Sequence, residues 1–243
     1  MLHRADTNYN EAIKAYKQAL RIDSENVQIL RDLSMLQIQM RDLEGFLVTR
    51  NTLLSQKPNG KLNWMAFALA RHMTGDLEGA VKVIDIYLGT LTEGHVELSR
   101  CFESSELAMY RNSILAEIPN NYQAALEHLS VCENVVMDRG AWLLKKAEYQ
   151  LRLKQFQETL DTVMEMFRRG MTESYVIHSF YMCAMLRIED EAVLDQVLCL
   201  RGTRTLASMM PLADDQKATI VDAYKGDMIS IIYDVVYQIA LNI

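Results

Sequence analysis

The stretch Tyr9-Asn10-Glu11-Ala12-Ile13-Lys14-Ala15-Tyr16-Lys17-Gln18-Ala19-Leu20 decides the fold. Tyr9, Ala12, Tyr16 and Ala19 fall three or four residues apart, so they share one face of a helix. The alanines on that face let a second helix approach closely, where a larger side chain would push it away. The same opening recurs downstream. Gly75-Asp76-Leu77-Glu78-Gly79-Ala80 and Asn121-Tyr122-Gln123-Ala124-Ala125-Leu126 repeat it. Gln155-Phe156-Gln157-Glu158-Thr159-Leu160 is a weaker copy, with Thr159 in the alanine position. Asp42-Leu43-Glu44-Gly45-Phe46 is a variant with Phe46 in that position. Ala12, Phe46 and Ala80 are separated by 34 residues each, Ala80 and Ala125 by 45, and Ala125 and Thr159 by 34. The long step places an insertion of eleven residues around Leu91 to Cys101. Pro58 lies twelve residues after Phe46, where it stops a helix.

A 34-residue period with this pattern resembles the tetratricopeptide repeat, a hairpin of two antiparallel helices. Trp64 occupies a first-helix position that favours Trp in that family. The predicted fold is all-α, a tetratricopeptide-repeat superhelical solenoid of antiparallel helix hairpins. Helices are expected near 28–40 and 43–55, 61–73 and 77–89, 103–117 and 121–135, 141–152 and 156–168, and 174–187 and 190–200. Residues 1–200 form the array, and 201–243 a C-terminal helical hairpin near 212–225 and 227–242 that continues or caps it. Arg201-Gly202-Thr203-Arg204 is the break between them.

Composition agrees. Three prolines and ten glycines in 243 residues are too few for many short strands. Half the residues are hydrophobic, and fifteen are Met, a good helix former and adaptable packer. The 25 basic and 32 acidic residues give a net charge of −7, which disfavours DNA or another phosphate backbone as the main ligand. Cys101, Cys132, Cys183 and Cys199 form no CxxC, and no apolar signal region follows Met1, which together suggest a reducing, intracellular setting. The longest apolar stretch, Met228 to Ile243, falls short of the roughly 20 residues a membrane span needs and contains Asp234, so no membrane partner is expected.

Both ends are unusual for a self-contained array, whose terminal faces need polar caps. In the repeat register Met1 falls near the ninth position of a first helix, so the array reads as truncated at its N-terminus. Near the other end Ser230, Asp234, Gln238 and Asn242 form one narrow polar stripe on a helix otherwise apolar, including Ile231, Val235 and Ile239. A helix apolar nearly all round is buried. Either the chain is a piece of a longer solenoid or the last helix docks onto a partner.

Nothing in the sequence points to chemistry. No two glycines are separated by one residue, so neither GxGxxG nor an acetyl-CoA loop is present, and GK[ST], HExxH and GxSxG are missing too. His128 and Cys132 stand four apart on one helix, but a zinc site normally needs three or four ligands. His72 is expected to face groove or solvent, while His3, His95 and His178 have no companions that suggest catalysis. Catalytic residues, metal and cofactor are therefore expected to be none.

In such arrays the first helices line the concave face through positions 5, 9 and 12. With Phe46, Ala80, Ala125 and Thr159 at position 20, these are Arg31, Met35 and Ile38; Met65, Leu69 and His72; Tyr110, Ile114 and Glu117; and Leu144, Glu148 and Leu151. The lining is largely apolar, with Arg31 its only cation. It lacks the several basic side chains that clamp an acidic chaperone tail. It suits the apolar face of a partner helix or folded subunit. Arg31, Met35, Ile38, Met65, Leu69 and Ile114 are the candidate partner-binding residues.

The run from Gln28 to Phe46, followed by Thr49-Arg50 and Leu53-Leu54, resembles the auxiliary subunit of the N-terminal acetyltransferase A (NatA) complex. Asn63-Trp64-Met65-Ala66-Phe67-Ala68, Glu106-Leu107-Ala108-Met109-Tyr110 and Tyr122 to Leu129 fit as well. The resemblance runs from residue 9 to about 190, weakens after 135, and has no counterpart from Arg201 onward. It implies a non-catalytic, cytoplasmic scaffold that binds the catalytic acetyltransferase subunit and positions it at the ribosome. Family members are much longer, and their inositol-phosphate site and closest catalytic-subunit contacts lie in later repeats. Residues 1–60 carry 8 basic and 7 acidic residues, so no plain ribosomal-RNA patch stands out. The alternative is a generic tetratricopeptide scaffold for another assembly.

Overall fold

The computed structural model describes residues 8–93 and 102–191, with 194, 215, 218, 222 and 226. Among these residues every regular element is an α-helix, and ten helices are described. In chain order they are α1 (Tyr9–Ile22), α2 (Val27–Gln39), α3 (Leu43–Gln56), α4 (Lys61–Met73), α5 (Leu77–Glu93), α6 (Phe102–Glu117), α7 (Tyr122–Val131), α8 (Arg139–Arg152), α9 (Phe156–Arg168) and α10 (Tyr175–Met185). The chain divides into two compact units, residues 1–99 with 110–119, and residues 100–109 with 120–243. In the first, α1 packs on α2, α2 on α3, α3 on α4 and α4 on α5. In the second, α7 packs on α8, α8 on α9, and α10 on both α9 and α8.

The position that carries the 34-residue spacing is a core position throughout. Ala12, Phe46, Ala80, Ala125 and Thr159 are all buried. A second periodic feature accompanies it. Arg41, Gly75, Asn120, Lys154 and Arg187 all have positive φ, between 48° and 84°, in the turn that joins the two helices of a hairpin. The turns close alike: Asp42 N–H donates to Gln37 O, Asp76 to Arg71 O, Gln155 to Gln150 O and Ile188 to Cys183 O, at 2.9–3.0 Å. These bonds satisfy carbonyls that a helix end would otherwise leave unpaired. Asp42 and Asp76 then cap the second helix through the N–H groups of Gly45 and Gly79, at 3.0 and 2.9 Å. A methyl group on either glycine would collide with the capping carboxylate.

The expected helices are present up to residue 185, with two differences at helix ends, and most of the helix expected at 190–200 lies outside the described residues. The second helix of the second full hairpin, expected to end near 89, continues to Glu93 and takes up the start of the insertion. Helix α7 ends at Val131 rather than near 135. The reason lies in its last carbonyls. The Trp142 indole N–H donates to Leu129 O at 2.9 Å, and Cys132 Sγ–H donates to the same oxygen at 3.4 Å. With the helix end held this way, the chain turns and buries Val136. Leu194 is buried and helical, and its N–H donates to Asp190 O. The expected hairpin at 212–242, the break at Arg201–Arg204 and the apolar run of Ile231, Val235 and Ile239 lie outside the described residues, apart from helical positions 215, 218, 222 and 226. No helix among the described residues is long and apolar enough to cross a membrane.

Candidate protein-binding face

The first helices of the first unit's hairpins, α2 and α4, carry most of the predicted lining. Helix α4 is amphipathic in the usual way: Asn63, Phe67, Ala68 and Ala70 are buried and hold it on α3 and α5. Its opposite side stays open. Leu62, Leu69 and Met73 are exposed, and Met65 is half-buried between them. Residues 62, 65, 69 and 73 follow the three-and-four spacing of one helix face, so they form a single apolar stripe. On α2, Met35 is 55% exposed, Arg31 is exposed and Ile38 is half-buried. Leu62 and Met73 were not among the sequence candidates. The continuity of the stripe beyond positions 5, 9 and 12 was the signal that could have found them.

Ile114 corrects the expectation. It is fully buried, so it offers no surface to a partner. The cause is a polar clasp that spans the same face of α6. His72 Nδ1 lies 2.9 Å from the Tyr110 hydroxyl, and His72 Nε2 lies 2.8 Å from Glu117 Oε2. Tyr110 and Glu117 stand two turns apart on α6, with Ile114 between them on the same face. Closing the clasp on His72 covers Ile114. Three predicted lining residues, His72, Tyr110 and Glu117, are thus engaged with one another rather than open to a ligand.

The clasp can hold the ring in both protonation states. A neutral ring donates from Nε2 to Glu117 and accepts the Tyr110 O–H at Nδ1. A protonated ring donates from both nitrogens. Burial, with the Glu117 charge second, pushes the Tyr110 hydroxyl up to about 12. The phenol therefore stays protonated at neutral pH and is no ready base or nucleophile. A neighbouring pair ties α6 to α5 as well: Arg111 grips the Asp85 carboxylate with two nitrogens, at 2.7 and 3.1 Å.

One residue of this face escaped the sequence reading because it belongs to a second helix. Arg50 of α3 reaches Met35, with Nη2 3.9 Å from the sulfur, and its guanidinium lies 5.3 Å from the centre of the Phe46 ring. Burial, and then the Arg31 charge, lower its pKa from the usual arginine range. In the second unit the equivalent positions are less open. Leu144 is half-buried, Glu148 pairs with Lys145 at 3.1 Å, and Leu151 is fully buried. No group of three or more potential metal ligands occurs among the described residues.

Comparison with known proteins identifies the lineage. The profile of the N-terminal acetyltransferase A auxiliary subunit matches residues 102–226, and a tetratricopeptide-repeat profile matches residues 3–66. The first match reaches beyond Arg201, where the sequence reading found no counterpart. The auxiliary subunit of the N-terminal acetyltransferase A complex of Arabidopsis thaliana is 43% identical over 154 residues, 63% of this chain and 17% of its own. A human NatA auxiliary subunit is 37% identical over 170 residues, 70% of this chain and 19% of its own. The chain therefore spans less than a fifth of the length of these two curated relatives. Among solved structures, that of Naa15/Naa10 bound to HypK-THB aligns over 89% of this chain and 31% of its own, with a TM-score of 0.68 and 34% identity. A tetratricopeptide repeat protein from Parabacteroides merdae shares the fold alone, with a TM-score of 0.58 at 15% identity, over 93% of this chain and 88% of its own. On the strength of a profile match across half its length, this helical-repeat chain belongs to the family of N-terminal acetyltransferase A auxiliary subunits.

Proposed function

We propose that the chain serves as a non-catalytic scaffold segment in a cytoplasmic NatA complex. In this reading it binds the catalytic acetyltransferase subunit and positions it at the ribosome, where emerging N-termini are acetylated. The observation that carries the proposal is the open apolar stripe of Leu62, Met65, Leu69 and Met73, with Met35 on α2. Large apolar side chains left exposed in a row mark a surface that another molecule covers. The solved structure of Naa15/Naa10 bound to HypK-THB supports the choice of partner, because there the similar chain stands in a complex with a second protein.

The test changes Met35, Met65 and Leu69 together to Glu. Desolvating an unpaired carboxylate costs several kcal/mol. Each 1.4 kcal/mol lost lowers affinity about tenfold. Capture of the catalytic subunit should fall by at least that factor, with helical content unchanged by circular dichroism. Unaltered capture by the folded triple variant overturns the assignment of the face. Ribosome positioning is tested apart, by sedimentation of the chain and its partner with ribosomes.

A further inference from the structure

Arg31 and Arg50 both stand next to Met35, Arg31 four residues before it on α2 and Arg50 reaching its sulfur from α3, in a chain whose acids outnumber its bases. Other arginines of the structure have carboxylate partners: Arg71 holds Asp76, Arg111 holds Asp85, Arg139 holds Glu133 and Arg169 holds Glu165. Among the described residues, no carboxylate pairs with Arg31 or Arg50. Asp32, the acid nearest in sequence, takes the amide of Gln28 instead, at 3.2 Å. Arg50 is also held in place. Its guanidinium rests on the Phe46 ring and against the Met35 sulfur, and its Nε is buried without a hydrogen-bond partner. Arg71 also buries its Nε, but its fork is occupied by Asp76.

Two repelling guanidiniums kept together without a counter-charge cost stability, and a bound anion would offset that cost. Arginine forks suit carboxylate geometry, and a fork fixed in advance loses less freedom on binding. Met35 is exposed directly beside Arg50 and four residues along α2 from Arg31, so the anion must come with an apolar neighbour. A nucleic-acid backbone calls for a longer run of cations than this and gains nothing from an apolar stripe.

We propose that Arg31, Met35 and Arg50 form a docking point for an acidic peptide segment, in which one Glu or Asp carboxylate bridges the two guanidiniums and an adjacent apolar side chain covers Met35. This inference rests on the partner-binding reading above and names the chemistry of the partner segment at one end of that face.

The experiment uses the full 243-residue chain and three fluorescent probes read by anisotropy. One is a peptide of alternating Leu and Glu, the second the same peptide with Gln for Glu, and the third an oligouridine. The Glu peptide should bind at least tenfold tighter than the Gln peptide. Arg31→Gln, at an exposed position, should remove that preference while leaving the Gln peptide unaffected. Arg50→Lys keeps the charge but loses the fork, and should weaken the Glu peptide several-fold. The inference is overturned by equal binding of the two peptides, by no binding of the Glu peptide, by indifference to Arg31→Gln, or by oligouridine binding tighter than the peptide. The two readings fail separately. Loss of catalytic-subunit capture in Met65→Glu/Leu69→Glu, with the peptides indifferent to Arg31→Gln, sinks this inference alone. Intact capture in that double variant, with the Glu preference present, sinks the proposed face and leaves the docking point.

Discussion

Helices α4 and α10 are both first helices of their hairpins, one in each unit, yet they are used in opposite ways. Helix α4 packs only its Phe67 side and leaves Leu62 81% exposed. In α10 every residue from Ser179 to Ala184 is buried. The difference follows from neighbours. Helix α4 lies against the second helices α3 and α5 and meets the first helix α6 through His72 near its end, whereas α10 packs on α9 and also on another first helix, α8. A repeat register fixes which residues join the two helices of a hairpin. It does not fix whether the outer side of the first helix is covered, because that depends on how closely successive hairpins stack. The first unit leaves that side of α4 exposed, and the second buries the corresponding side of α10 in its own core.

The two tryptophans give the largest test of that contrast. Trp142, in the second unit, is 2% exposed, donates to Leu129 O and lies under the Arg139 guanidinium, 3.8 Å from its centre. Trp64, in the first, is only half-buried, donates to Pro58 O and meets the Tyr87 ring 6.2 Å away. Trp142→Ala should cost about 3–5 kcal/mol of unfolding free energy. Trp64→Ala should cost less, and Leu62→Ala on the open stripe should stay within about 0.5 kcal/mol. Urea denaturation measures all three. Equal losses at the two tryptophans would break the comparison.

A middle-sized test concerns the clasp that closes part of the first unit's face. Tyr110→Phe removes a hydrogen bond to His72 and should cost about 1 kcal/mol. The pH dependence has a definite sign. The folded pKa of Tyr110 is raised to about 12, above its usual 10.0, so the native state holds the phenolic proton more tightly than the unfolded chain. That contribution is complete below pH 10 and is lost as pH rises towards 12. Stability of the parent chain should fall more steeply over this window than that of Tyr110→Phe. Matching slopes would show that Tyr110 is not the group responsible.

What the sequence revealed and what it hid divide along the same line. The spacing of Ala12, Phe46, Ala80, Ala125 and Thr159 was readable, because a repeated close approach demands similar side chains at a fixed interval. Met35 and Leu69 were readable as open positions on the same register. Ile114 was misread, because its burial depends on a clasp whose partners lie 38 and 45 residues apart in sequence. Arg50 was overlooked, since it reaches Met35 from the neighbouring helix α3. Contacts that cross from one helix to another at irregular spacing leave no periodic trace.

The smallest effect sharpens the comparison at the hairpin turns. Arg41 in the first unit and Lys154 in the second both adopt a left-handed backbone, with φ of 57° and 60°. A side chain in that conformation costs about 1–2 kcal/mol, which glycine avoids. Glycine loses more freedom on folding, by roughly 0.5–1 kcal/mol, so part of the gain is returned. Arg41→Gly should therefore stabilise the chain by about 0.5–1 kcal/mol, within the reach of careful denaturation. Lys154→Gly should stabilise it less. Lys154 Nζ lies 3.0 Å from Glu189 Oε2, and the glycine variant gives up that ion pair. Both partners are more than half exposed, so the pair is worth at most about 1 kcal/mol. Gly75, with φ of 84°, occupies the same turn position as Arg41 one repeat later, and Gly75→Ala should move in the opposite direction. Raising the salt concentration screens the Lys154–Glu189 pair and should bring the Lys154→Gly gain up towards that of Arg41→Gly. If the two gains differ by the same amount at all salt concentrations, the ion pair is not what separates the turns, and strain at the two left-handed residues must itself differ between the units.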